Sequence, residues 1–238
     1  MELFVDNIQK HFGSKEVLKG ASYNFEQGKI YGLIGRNGAG KTTFFNCLNE
    51  DLIPDAGTVE IDTDGKKRKM CSDDIGYVLS TPVVPEFLTA REFLRFFLDI
   101  NKDRIKDPKS IDEYLDYMMI SNDDRDKLMK DFSHGMKNKM QMLVNFIADP
   151  AVLLLDEPLT SFDVVVADEM KQLFISMKPE HIIIFSTHIM ELALDLCDEI
   201  VILQNGTLRN IPKNDLDNDD FKNEIIAALK DETGDKHE

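Results

Sequence analysis

The sequence predicts an α/β fold with a parallel sheet buried on both faces, and three segments carry that prediction. Lys29-Ile30-Tyr31-Gly32-Leu33-Ile34 and Val152-Leu153-Leu154-Leu155 are apolar runs of strand length, as a parallel strand covered on both faces requires. Between the first run and the helical pattern Thr43-Phe44-Phe45-Asn46-Cys47-Leu48 lies the glycine-rich stretch Gly35-Arg36-Asn37-Gly38-Ala39-Gly40-Lys41-Thr42. Strand, glycine loop and helix in that order form a phosphate-binding loop. The glycines leave room for the backbone N–H groups of Gly35, Asn37, Gly38, Ala39 and Gly40 to curl around a phosphate, and the helix N-terminus, from Thr42 and Thr43 onward, adds partial positive charge. Lys41 neutralises phosphate charge, and the Thr42 hydroxyl ligates Mg²⁺. The ligand expected of such a loop is a nucleoside triphosphate.

The remaining elements follow along the chain. Residues 1 to about 80 read as strands around the loop, with Gly57-Thr58-Val59-Glu60-Ile61-Asp62 as an alternating edge strand. The basic run Lys66-Lys67-Arg68-Lys69 reads as a solvated hairpin turn after Asp64-Gly65. Residues about 81 to 145 turn helical. There Phe93, Phe96, Phe97 and Ile100 fall at i, i+3, i+4 and i+7, one apolar stripe that reads chiefly as core, with a groove for a helix of a membrane partner as the alternative. Residues about 150 to 211 alternate strand and helix and end in a hairpin at Gln204-Asn205-Gly206-Thr207, whose Asn-Gly signals a tight turn. Beyond Pro212 the chain forms an acidic tail, 213–238, with one short helical pattern from Phe221 to Lys230.

Two carboxylates end the second apolar run, in Asp156-Glu157-Pro158. Adjacent acids at the end of a buried strand are costly without a task. Asp156 at the strand's C-terminal edge can hold Mg²⁺, and Glu157 faces the attacking water.

These residues lead to a family. Phe132-Ser133-His134-Gly135-Met136-Lys137 resembles the signature loop of ATP-binding cassette proteins, commonly Leu-Ser-Gly-Gly-Gln, and lies about two dozen residues before the Asp156-Glu157 strand with a helical stretch, Asn138 to Val144, between. Further matches lie in register: Phe12 near the end of the first strand, Leu88-Thr89-Ala90-Arg91-Glu92 at the start of the helical part, Asp163 in Thr160-Ser161-Phe162-Asp163, and His188 after Ile182-Ile183-Ile184-Phe185-Ser186-Thr187. The resemblance covers residues 1 to about 212. It implies a P-loop NTPase fold with a RecA-like core, an antiparallel β subdomain and an inserted α-helical subdomain. By the same resemblance Phe12 stacks on adenine, Ser133 and Gly135 meet the nucleotide of a second subunit, Asp163 lies at the dimer interface, and His188 contacts the γ-phosphate. Read from the residues alone, Phe12 could instead pack inward, His188 could cap a helix and Asp163 could serve a turn.

Two departures stand out. Ser80, in Ile75-Gly76-Tyr77-Val78-Leu79-Ser80, occupies the position where the family usually carries a glutamine, and its hydroxyl is several bonds shorter than that amide. His134 and Met136 replace a glycine and the glutamine of the signature loop, a variation similar to single-cassette exporters of drugs and antimicrobial peptides.

Composition narrows the function class. The chain has 238 residues and a formal charge of −16, from 28 Lys and Arg against 44 Asp and Glu, which disfavours a nucleic-acid partner. No stretch of eighteen apolar residues and no basic, then apolar, N-terminal pattern occurs, so the chain is expected to be cytoplasmic. Cys47, Cys71 and Cys197 show no metal-like or paired spacing and read as reduced thiols. The resemblance implies an ATP-hydrolysing subunit that dimerises on ATP and powers a separate membrane-spanning transporter subunit, peripheral on the inner membrane face and exporting its substrate. The rival expectation is a soluble, non-transport cassette ATPase.

Overall fold

The computed structural model describes residues 1–105, 107–160 and 162–211. The chain opens with β1 (Glu2–Phe12), β2 (Lys15–Glu26) and β3 (Lys29–Ile34), then α1 (Lys41–Leu48), β4 (Ala56–Thr63), β5 (Lys66–Lys69) and β6 (Ile75–Val78). It continues with α2 (Ala90–Ile100), α3 (Ile111–Tyr117), α4 (His134–Ala148), β7 (Val152–Asp156), α5 (Val164–Met177), β8 (Ile182–Thr187), α6 (Met190–Leu196), β9 (Glu199–Gln204) and β10 (Thr207–Ile211).

The strands form two sheets. A four-stranded antiparallel sheet has the order β2-β1-β4-β5, and a six-stranded sheet has the order β10-β9-β3-β8-β7-β6, parallel except for β10. In the larger sheet the two-residue period of the strands sorts apolar side chains onto two faces. Tyr31, Leu33, Leu154, Ile184 and Val201 join Phe44 and Phe45 of α1 and the antiparallel sheet in one core. Ile30, Ile34, Leu155, Ile183, Phe185 and Ile202 pack with the helices in a second. All five residues of β7 and all six of β8 are buried, as their apolar runs predict. Close passages explain two glycines: a Cβ on Gly32 would lie 2.7 Å from Cys197 Sγ, and one on Gly76 would lie 2.8 Å from Pro150 Cγ.

The hairpin of β9 and β10 turns at Asn205 and Gly206, both at positive φ, as the Asn-Gly pair predicts. A second such pair, Asp64-Gly65, also at positive φ, joins β4 to β5. Two expectations are corrected here. Gly57 to Asp62 is an interior strand, because β4 pairs with β1 on one side and with β5 on the other. The basic run is no turn: Lys66–Lys69 is itself the edge strand, its charged side chains all exposed, which is how an edge avoids further pairing.

Among the described residues the helical part, expected over about 81–145, holds α2, α3 and α4 joined by irregular chain, with α4 running on to Ala148. Thr89 caps α2 and Ser110 caps α3, each in a reciprocal box with a glutamate three residues on. The apolar stripe of α2 requires a correction. Its buried residues are Ala90 and Leu94, with Phe93 and Phe97 packed partly against the core, while Phe96 is 57 % and Ile100 62 % exposed. The docked face is rotated from the stripe, so Phe96 and Ile100 fall at its margin. Among the described residues no cysteine forms a disulfide, and burial raises the Cys47 thiol to about 11. Pro212, the acidic tail and the helical pattern at 221–230 lie outside the described residues.

Candidate active site

Parallel strands of the larger sheet deliver the functional side chains at their C-terminal ends. After β3 the chain turns through Gly38 (φ 83) and Gly40 (φ 106), conformations that suit glycine, and enters α1 at Lys41. A Cβ on Gly40 would lie 2.8 Å from Val17 Cγ1, so the loop passes too close to β2 for a side chain. Lys41 is buried and folds back over the loop, donating from Nζ to the carbonyls of Gly35 at 2.7 Å and Arg36 at 3.4 Å. Burial lowers its pKa, and the Glu157 and Asp156 carboxylates oppose that shift. Its Nζ lies 3.8 Å from Glu157 Oε1.

Asp156 ends β7 and is only 2 % exposed. Such a carboxylate needs polar partners. The Thr42 hydroxyl donates to its Oδ2 at 2.8 Å, and the Ser186 hydroxyl donates to its Oδ1. A carboxylate and a threonine hydroxyl on the wall of an open cleft are the hard oxygen donors Mg²⁺ takes when phosphate and water complete its shell, so these residues fit that ion. Glu157 follows in the left-handed region, φ 50, a conformation unusual for a side chain of its size. Its backbone N–H is held by the Ser186 carbonyl at 3.2 Å and hydroxyl at 3.1 Å. His188 Nδ1 lies 3.0 Å from the Glu157 carboxylate.

A cleft of ≈ 560 Å³ gathers most of the sequence-predicted residues, among them Phe12, Asn37, Gly40, Lys41, Thr42, Thr43, Asp156 and Glu157. Phe12 does not pack inward: its side chain is 48 % exposed at the end of β1, with Lys10 Nζ 5.8 Å from its ring centroid. Ser80 is exposed and lines the same cleft. His188 caps no helix and is joined to the cleft through Glu157. Gly35 and Ala39 underlie the loop: a Cβ on Gly35 would meet Ala39 Cβ at 3.2 Å.

Ser133 and Gly135 are not among the residues lining this cleft. Ser133 is exposed and caps α4, its hydroxyl accepting the Met136 N–H at 3.2 Å. Asp163 caps α5, its Oδ1 accepting the N–H groups of Val165 and Val166, each at 3.0 Å. The turn role and the cap are therefore one geometry. Sequence reasoning missed Ser186, which holds both acids, and Lys15 and Val17 of β2, which line the cleft. A hydroxyl after four apolar residues of β8 was the available signal for Ser186.

A family model described as ABC transporter matches residues 18–160. The chain belongs to this family of ATP-binding cassette proteins. It is an ATPase of the ABC type with the P-loop NTPase fold of the cassettes. An ABC transporter ATP-binding protein of Methanocaldococcus jannaschii is 35% identical over 206 residues, spanning 85% of this chain and 74% of that protein. The bacitracin transport ATP-binding protein of Bacillus licheniformis is 34% identical over 206 residues, 85% of this chain and 66% of that protein. Among solved structures, an ATP-binding subunit of an ABC transporter superposes with a TM-score of 0.76 at 24% identity, covering 96% of this chain and 95% of that one. A dimeric ATP-binding cassette in a post-hydrolysis state with ADP and Pi gives 0.75 at 20% identity, covering 89% and 98%. Among the described residues, no helix of this ABC ATPase is long and apolar enough to cross a membrane.

Proposed function

We propose that this chain is the energy-coupling subunit of an exporter, hydrolysing ATP as a homodimer to power a separate membrane-spanning subunit from the cytoplasmic face. The observation that carries the reading is the cleft, in which the phosphate loop, Asp156 and Glu157 converge and His188 lies 3.0 Å from the Glu157 carboxylate. Phe12 offers its exposed ring to the base. The N–H groups of Gly38, Ala39 and Gly40 and the Lys41 ammonium bind the β- and γ-phosphates. Thr42 and Asp156 would hold Mg²⁺, which would supply charge neutralisation at the phosphates. Glu157 orients and deprotonates the attacking water, and His188 holds the carboxylate and reaches toward the γ-phosphate. Lys41 stabilises charge on the transferring phosphoryl group.

Ser133 and Gly135 stand away from this cleft at the N-terminus of α4, which supports a shared site: each nucleotide completes its contacts with the α4 terminus of a second copy. Exposed Val83, Phe87, Phe96 and Ile100 on the helical part support docking of an apolar partner element there. The bacitracin transport protein among the relatives supports the exporter class. Extraction of the tagged chain in mild detergent tests the reading: a membrane-spanning protein co-purifies. Recovery only in a soluble complex with ribosomes or DNA overturns it.

A further inference from the structure

Asn138 lies one turn inside α4 and is 1 % exposed. Its Nδ2 donates to the Pro158 carbonyl at 3.1 Å, and its Oδ1 has no partner. The opposite amide assignment sets two oxygens against each other, so this orientation is the one that bonds. An orphaned buried amide oxygen is costly to the fold, and the amide's one bond is the partner of the buried Pro158 carbonyl. The amide is kept at a cost for that one bond, and the bond reaches the catalytic turn: Pro158 follows Glu157.

The turn needs holding. Glu157 sits at φ 50, a strained conformation for a non-glycine residue that persists only where its surroundings over-determine it. From one side β8 grips it, through the two Ser186 acceptors of its N–H. Thr160 Oγ1 closes back on the Glu157 carbonyl at 3.0 Å. Pro158 has no N–H, so its carbonyl is its single backbone handle, and Asn138 takes it from the other side. We infer that Asn138 is a positioning residue: from the helix that presents Ser133, it fixes the Asp156-Glu157-Pro158 turn and with it the direction of the Glu157 carboxylate. The inference rests on the reading of Glu157 as the base. It also joins the two halves of the shared site within one chain, since α4 carries Ser133 at its start and the hold on Pro158 one turn later.

The test is steady-state ATP hydrolysis by the full chain carrying Asn138→Leu, Asn138→Gln or Glu157→Gln. Turnover is counted per site titrated with a fluorescent ATP analogue, so that unfolded protein does not imitate an effect. Asn138→Leu lowers kcat roughly 10- to 100-fold while KM for ATP stays within about twofold, the pattern of a displaced catalytic group. Asn138→Gln keeps an amide donor and retains most of the activity. Wild-type kcat in Asn138→Leu beside an inactive Glu157→Gln overturns the inference alone. So does a fall in turnover that vanishes on counting sites, or a raised KM at unchanged kcat. Wild-type turnover by Glu157→Gln removes the base reading and the inference with it.

Discussion

Replacing Lys41 with alanine removes the one buried cation on the phosphate loop. In the free protein its Nζ is occupied by the Gly35 carbonyl at 2.7 Å and the Arg36 carbonyl at 3.4 Å, so it is held where a phosphate would meet it. A hydrogen bond to a charged group contributes about 1.5–3 kcal/mol, so losing this contact raises the ATP dissociation constant roughly 10- to 150-fold. Charge grows on the phosphoryl oxygens at the transition state, and deleting one preorganised electrostatic partner there lowers kcat by a further 10²- to 10³-fold or so. The folded state bears the opposite sign. Burial lowers the pKa of Lys41, so its charged form is disfavoured in the free fold, and the variant keeps its thermal stability. Titration with a fluorescent ATP analogue measures the first effect, phosphate release the second and thermal melting the third. Affinity and turnover both at wild-type levels refute the phosphate-loop assignment.

Glu157→Gln keeps the side chain's shape without the carboxylate, so it traps ATP and accumulates a dimer on size exclusion with ATP and Mg²⁺. Ser133→Arg on that background abolishes the dimer, and low salt weakens it because each chain carries a charge of −16; a variant that traps ATP yet stays monomeric refutes the shared site. Asp74 accepts two bonds of 2.6 Å from the Arg68 guanidinium, which lowers its pKa from 3.8 to about 2, and it also accepts the Cys71 N–H. A depressed carboxylate stabilises the fold above its unfolded value, so Asp74→Asn costs about 1 kcal/mol at pH 7 in urea unfolding. That cost shrinks as pH falls from 3.8 through about 2, and a cost that grows on acidification contradicts the assignment.

What was legible in the sequence was local. The phosphate loop announces itself because its glycines, lysine and threonine lie together, and β7 and β8 because strands buried on both faces carry near-continuous apolar runs. Orientation was less legible. The spacing of Phe93, Phe96, Phe97 and Ile100 defines a stripe but not which edge of it docks, and Ala90 and Leu94 prove to be the inner residues. The alternation of β4 marks one buried face and says nothing of whether a further strand pairs beyond it, so Lys66–Lys69 was missed as the true edge. Contacts across long separations were the least legible. Ser186 reaches Asp156 across 30 positions, and Asn138 reaches Pro158 across 20.

The strand order explains why those distant residues meet. Along the chain the functional strands run β3, β6, β7, β8, but across the sheet they run β3-β8-β7-β6. In register, Ile34 of β3 lies beside Thr187 of β8, Asp156 of β7 beside Ser186, and Val78 of β6 beside Leu155. Parallel strands end on one edge, where ligands of open α/β sheets bind. That edge therefore carries, side by side, the loop after β3, His188 after β8, Asp156 and Glu157 at the end of β7, and Ser80 beyond β6. Pairing of β8 with β7 brings the Ser186 hydroxyl onto Asp156 and sets His188 against Glu157, and its pairing with β3 places them beside the phosphate loop. A sheet in chain order would keep β7 beside β8 but would set β6 and β7 between His188 and the phosphate loop after β3. The last of these strands along the chain thus completes the site: Ser186 within β8 binds Asp156, and His188 just after it meets Glu157.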